Sequence, residues 1–161
     1  NIKTGKSSEV PLILREDKGD LRVLANVGVD ESIVERCGRV YFILVFLKFG
    51  DEPGNHIFSD IVKYSKEFND WGRGVLFIYP DSNSLNYAVR KSRDLDLPSN
   101  FMFMDDPSGE LLNSTAASLG FSEEVPSPLV VVADTFGRVV HFAGGYSIGT
   151  GKRLIKITRR L

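Results

Sequence analysis

The stretch Ser127-Pro128-Leu129-Val130-Val131-Val132-Ala133-Asp134-Thr135-Phe136-Gly137-Arg138-Val139-Val140 decides how the chain is read. Residues 129–133 are a run of apolar, mostly β-branched side chains, which favours a strand. Asp134-Thr135-Phe136-Gly137 has the composition of a turn, and residues 138–143 resume the strand pattern. Two strands joined by so short a connection predict an antiparallel hairpin. Gly144-Gly145 follows, and a final helix is expected over 150–161, with Leu154, Ile157 and Leu161 on one side.

Upstream, residues 40–49 form a continuous apolar and aromatic run, the pattern of a strand buried on both faces. Gly50-Asp51-Glu52-Pro53-Gly54 reads as a loop, with Asn55 as the N-cap of the next helix. Between 56 and 71, Ile57, Phe58, Ile61, Val62, Tyr64, Phe68 and Trp71 recur at helical spacing, and Gly72 supplies the stop. Residues 75–79 form a second buried-strand run. This β-α-β unit implies parallel strands and a right-handed crossover.

The pattern then repeats. Ser82 or Ser84 caps a helix carrying Leu85, Ala88, Val89 and Leu95, and Pro98 ends it. A short strand is expected over 101–104. Asp106-Pro107-Ser108-Gly109 turns into a helix with Leu111, Leu112, Thr115, Ala116 and Leu119 on one face, closed by Gly120. Near the start, residues 11–15 and 21–27 read as a hairpin around Asp17-Lys18-Gly19-Asp20. Neither an internal repeat nor a low-complexity tract is visible.

With 161 residues, 42% apolar and 25% charged, the chain suits one globular domain with a sizeable core. A net charge of −1 gives no overall attraction to nucleic acid or anionic membrane. The longest apolar run, 40–47, is far short of the roughly 20 residues of a transmembrane helix. The sequence begins at Asn1 rather than Met and is expected to be part of a longer protein. One cysteine permits no internal disulfide, and two distant histidines offer no metal-ligand spacing, so neither metal nor cofactor is expected.

A β-α-β half followed by a β-β-α half, with an extra helix–strand–helix between them, resembles the thioredoxin fold in its peroxiredoxin and TlpA-like forms. Ser127-Pro128 stands where thioredoxins keep a cis-proline. The 128–140 stretch resembles the TlpA-like strand–turn–strand signature, and Asp106-Pro107-Ser108-Gly109-Glu110 resembles the turn before the extra helix of peroxiredoxins. These matches cover about residues 40–161. The expected fold is therefore α/β and thioredoxin-like, a central mixed sheet flanked by helices, with an N-terminal hairpin. Residues 1–36 form an extension and 37–161 the domain.

A narrower likeness is carried by Cys37-Gly38-Arg39-Val40-Tyr41-Phe42, by 50–56 and by 133–140. These segments resemble the C-terminal domain of bacterial transglutaminase-like proteins, large secreted or envelope proteins often described as cysteine proteases. The resemblance implies an extracytoplasmic, periplasmic or envelope, location. It also implies a catalytic domain upstream, and the neighbouring domains of the same chain as partners.

Thioredoxin chemistry needs a thiolate at the N-terminus of the first core helix. Phe49, Gly50, Asp51, Glu52, Pro53, Gly54, Asn55 and His56 occupy that loop here, and none carries sulfur. Dithiol exchange within the chain is thus excluded by composition, and this domain is expected not to be an enzyme. No catalytic residue is assigned. Cys37, between Arg36 and Gly38, is expected to be a small residue at a strand entrance, with a reactive thiol as the alternative. His56 is expected to bond nearby backbone, and His141 to sit on the polar face opposite Val140 and Phe142.

Gly149-Thr150-Gly151-Lys152-Arg153 invites a phosphate-loop reading but fails it, because Tyr146 and Arg153 stand where Gly and Ser or Thr are required. Lys152, Arg153, Lys156, Arg159 and Arg160 are expected to form a solvated face, and Asn113-Ser114-Thr115 matches a glycosylation sequon inside a helix.

The expected function is an accessory module that packs against neighbouring domains or recognises a protein or extended peptide. The candidate surface comprises Phe49, Gly50, Asp51, Glu52, Pro53, Asn55, His56 and Pro128. The alternatives are a single-cysteine redox enzyme using Cys37 and a small-anion site in the 50–56 loop.

Overall fold

A computed structural model describes residues 41–48, 52–121, 124–134, 139–145 and 148–161. Cys37, Phe49, Gly50, Asp51, the 135–138 turn and the expected N-terminal hairpin lie outside the described residues, as does the boundary drawn at residue 37.

The element order is β1 (Tyr41–Phe46), α1 (Glu52–Val62), α2 (Ser65–Trp71), β2 (Val75–Tyr79), α3 (Ser82–Ser92), β3 (Phe101–Asp105), α4 (Glu110–Ser118), β4 (Leu129–Asp134), β5 (Val139–Gly144) and α5 (Thr150–Thr158). The strands form one five-stranded sheet in the order β3-β2-β1-β4-β5. β1, β2 and β3 are parallel, whereas β4 runs antiparallel to β1 and to β5. The α/β architecture and the mixed sheet are those expected from the sequence.

Strand alternation divides the core in two. One face carries Phe42, Leu44, Phe46, Leu76, Ile78, Leu129 and Val131, covered by Leu111 of α4 with Leu119, Phe121 and Val125. The other carries Ile43, Val45, Val75, Phe77, Phe101, Val130 and Val132, covered by Ile57 and Ile61 of α1, Phe68 of α2 and Leu154 of α5, with Leu85 and Ala88 of α3 alongside. Both parallel crossovers thus cover the same face, and the connection through α4 returns over the other. Phe77 lies at the centre of an aromatic group. Its ring is 5.0 Å from Phe58, 5.2 Å from Phe103 and 5.4 Å from Phe101.

Several local expectations need correction. The helix expected over 56–71 is two helices that break at Lys63-Tyr64. There Tyr64 leaves helical geometry at φ −105° and ψ 27°, and the Ser65 hydroxyl donates to Val62 O. α1 also begins at Glu52, so Asn55 is inside it rather than its N-cap. Proline is tolerated in a first turn, where its missing N–H has no intrahelical partner anyway. The cap of α3 is Asp81, which accepts from Ser84 N at 2.7 Å, rather than either serine. α3 ends at Ser92, ahead of Pro98.

His141 is also displaced. Val132 pairs with His141 but Ala133 pairs with Val139, leaving Val140 as the extra residue of a bulge. Directly paired residues share a sheet face, so His141 lies with Val132 and Val140, opposite Phe142 alone.

α5 packs against α1 (Glu52–Val62) through Gly151. Its N–H donates to Asp60 Oδ2 at 2.9 Å. The helix N-terminus that invited a phosphate reading thus holds a carboxylate from a neighbouring helix, the favourable charge for that end of the dipole. Lys152, Arg153, Lys156, Arg159 and Arg160 are all exposed, the solvated face that was expected.

Candidate binding clefts at the carboxyl end of the sheet

In open α/β sheets, ligands bind beyond the carboxyl ends of the parallel strands, where the strand order reverses. In this chain that point is the tip of β1, between β2 on one side and β4 on the other. Phe46 pairs with Ile78 and with Leu129 at once. Leu47 N donates to Ile78 O at 2.9 Å, so the pairing reaches one residue further and Lys48 emerges exposed from its end.

Several clefts meet at Lys48, and two of them reach in toward the sheet. The first, about 340 Å³, lies on the α4 side and is lined by Phe46, Leu47, Lys48, Leu112, Asn113, Glu124, Val125, Pro126 and Ser127. Its wall is the 124–127 segment leading into β4. The Ser127–Pro128 bond is cis, and the Pro128 carbonyl accepts from Gly145 N at 2.7 Å. Pro126 closes against Gly144, where an added Cβ would lie 2.6 Å from the proline ring. The second cleft, about 420 Å³, lies between α1 and α3 and includes Lys48, Asn55, Phe58, Tyr79, Tyr87 and Lys91.

The candidate residues are thus separated. Pro128 adjoins the first cleft. Asn55 lines the second, and buried Gly54 beside it. His56 is exposed on α1 and lines neither cleft. Glu52 and Pro53 open α1, so the loop expected over 50–56 is largely helix. Among the described residues no group of three or more His, Cys, Asp or Glu is arranged to hold a metal ion, and no helix is long and apolar enough to cross a membrane.

Sequence reasoning missed Lys48, Tyr79, Val125 and Lys91. A lysine ending an apolar run and a tyrosine ending the next were the available signals for the first two. Val125 and Lys91 come from distant segments and join the clefts only through the fold.

Tyr79 is 8% exposed, and burial pushes its phenol above the ordinary value of 10.0. A raised folded pKa contributes stability that is complete below the unfolded value and is lost as pH rises. Stability is therefore expected to fall as pH climbs above 10.0, where the unfolded phenol ionises. In urea titrations at about pH 9 and about pH 11, Tyr79→Phe should lose less stability between the two than the parent chain.

No family model matches the chain, and a search of curated proteins finds no match. Solved structures do match. A bacterioferritin comigratory protein of Xanthomonas campestris, described for its alkyl peroxide reduction activity, is 14% identical with a TM-score of 0.59, over 75% of this chain and 79% of that one. The exposed lipoprotein thioredoxin of Streptococcus pneumoniae is 19% identical with a TM-score of 0.53, over 76% and 85%. The thioredoxin domain of a thiol-disulfide oxidoreductase from Bacteroides vulgatus is 14% identical with a TM-score of 0.53, over 74% and 79%. The fold is that of thioredoxin-like proteins, and the similar structures named above are of redox and peroxidase type.

These comparisons correct the expectation that this domain is not an enzyme. Structures of its fold include thiol-disulfide oxidoreductases and peroxiredoxins, which are enzymes, related to it at the level of fold. That expectation rested on the lack of sulfur in 49–56, which removes a dithiol or a peroxidatic thiol from that loop and bears on no other part of the chain.

Proposed function

We propose that the domain recognises an extended segment of polypeptide in the cleft along 124–127, as part of a larger extracytoplasmic protein of the transglutaminase-like kind. The observation that carries this reading is the groove itself. An apolar floor of Phe46, Leu112 and Val125 lies beside the 124–127 backbone, at the point where the chain enters β4. Main-chain pairing along such a segment would supply affinity, and the apolar floor would select one side chain of the peptide. The segments 37–42, 50–56 and 133–140 support the parentage. The exposed lipoprotein among the structures of this fold supports the extracytoplasmic setting.

The test is selection from a phage-displayed library of decapeptides. Enrichment of sequences sharing one apolar position is expected, with affinity falling by about tenfold or more in a folded Val125→Arg variant. An unenriched library, or equal affinity in the variant, would contradict the proposal.

A second reading, thiol chemistry at Cys37, is favoured by the likeness to an oxidoreductase and a peroxiredoxin. A thiol that alkylates with a midpoint well below neutrality supports it. A midpoint at or above about 8.5 rejects it.

A further inference from the structure

We propose that the second cleft, between α1 and α3, binds a small organic anion: a compact apolar body bearing one carboxylate or phosphate. The site lies on the opposite side of the β1 tip from the peptide groove and does not depend on it. Its volume, about 420 Å³, is within the range of small-molecule pockets. Phe58 and Tyr87 give it apolar walls. The Phe58 ring is held edge-on to Phe77 in the core at 5.0 Å, so that wall is preformed.

The polar groups are few and convergent. Tyr79 and Ser92 are each only 8% exposed, yet both line the cleft. Among the described residues no hydrogen bond engages either side-chain hydroxyl. Each hydroxyl oxygen nevertheless keeps some solvent access, so among the described residues both are left able to make a hydrogen bond with something in the cleft. A ligand acceptor atom would supply it.

The charge is one-sided. Lys48 and Lys91 line the cleft, and among the described residues no carboxylate does. Lys91 Nζ is 5.6 Å from the centre of the Tyr87 ring, which leads the cation along the wall. The nearby carboxylate of Asp81 is already engaged by Ser84 N at the start of α3. An oxyanion placed between the two lysines would meet hydroxyl donors below and cations at the rim, with its apolar part against Phe58. Lys48 and Lys91 bind it, and Tyr79 and Ser92 orient it.

The experiment titrates the isotopically labelled chain with benzoate, phenyl phosphate and uncharged benzyl alcohol, following amide resonances. Saturable shifts at Phe58, Tyr87 and Lys91 are expected for at least one anion, with Kd on the order of 1 mM or tighter, and binding about tenfold weaker for the alcohol. The tighter anion assigns the head group. Lys91→Glu, an exposed position expected to fold normally, should weaken anion binding by about tenfold or more, and Tyr79→Phe by a few fold. The proposal is overturned if neither anion gives saturable shifts, if the shifts lie on another face, or if the alcohol or Lys91→Glu binds as well.

Discussion

Replacing Phe77 by alanine is expected to lower the unfolding free energy by about 4 kcal/mol, the usual cost of truncating a fully buried aromatic side chain. Phe77 has no exposed surface and faces three rings from two other elements. One comes from α1 and two from β3 (Phe101–Asp105). Its removal would leave a hole that none of these can fill, because each is fixed by its own strand or helix. The interior is close-packed, so the loss combines missing apolar burial with an uncollapsed cavity. Chemical denaturation followed by circular dichroism measures it. An unchanged m-value with a shifted midpoint would show a loss of stability rather than a change in what unfolds.

The second large effect is expected at Gly151. A Cβ there would lie 2.5 Å from the carbonyl oxygen of Asp60 and 2.8 Å from Cδ2 of Tyr64. The nearer atom is backbone in the last turn of α1 and has no rotamer by which to move away. Gly151→Ala must therefore push α5 off α1 and stretch the bond from Gly151 N to Asp60. A loss of about 3 kcal/mol is expected, the upper part of the range for overpacking. Gly74 is the natural comparison. Its Cβ would meet the tips of Leu76, Met102 and Phe42, each at 3.2 Å. Side-chain tips rotate where a helix backbone does not, so Gly74→Ala should cost less than about 1 kcal/mol. Equal losses at the two glycines would show that the α1–α5 contact is looser than these distances imply.

Much of the fold was legible because strand and helix periods differ. The runs at 40–49, 75–79 and 129–133 are too apolar and too short for anything but buried strands, and the hairpin followed from its short connection. Errors arose where one local signal had two meanings. Glu52-Pro53-Gly54 reads as a turn, yet proline suits a first helical turn equally well. The break at Lys63-Tyr64 was hidden because Ile61, Tyr64 and Phe68 keep helical spacing across it. The bulge at Val140 turned His141 to the other face, and no residue in β5 announces it.

The site was less legible than the fold for a related reason. Lys48, Leu112 and Val125 meet only because β1 ends beside the segment leading into β4, and that pairing is long-range. The sequence-based candidate surface followed the loop where thioredoxins hold sulfur. The apolar groove instead lies along 124–127. The Asp60–Gly151 contact is the same kind of case, joining residues from the two ends of the domain. A motif search sees only Gly149-Thr150-Gly151-Lys152 there and misses the carboxylate that fills the helix end.

The central claim is that the 124–127 groove receives extended polypeptide, and its most direct test is amide resonance mapping of the labelled domain with a selected decapeptide. The account predicts shifts concentrated at Val125, Ser127, Leu112 and Lys48, with backbone contacts between the peptide and 124–127. Shifts clustered on the exposed face of α5, or spread without focus over the surface, would contradict it.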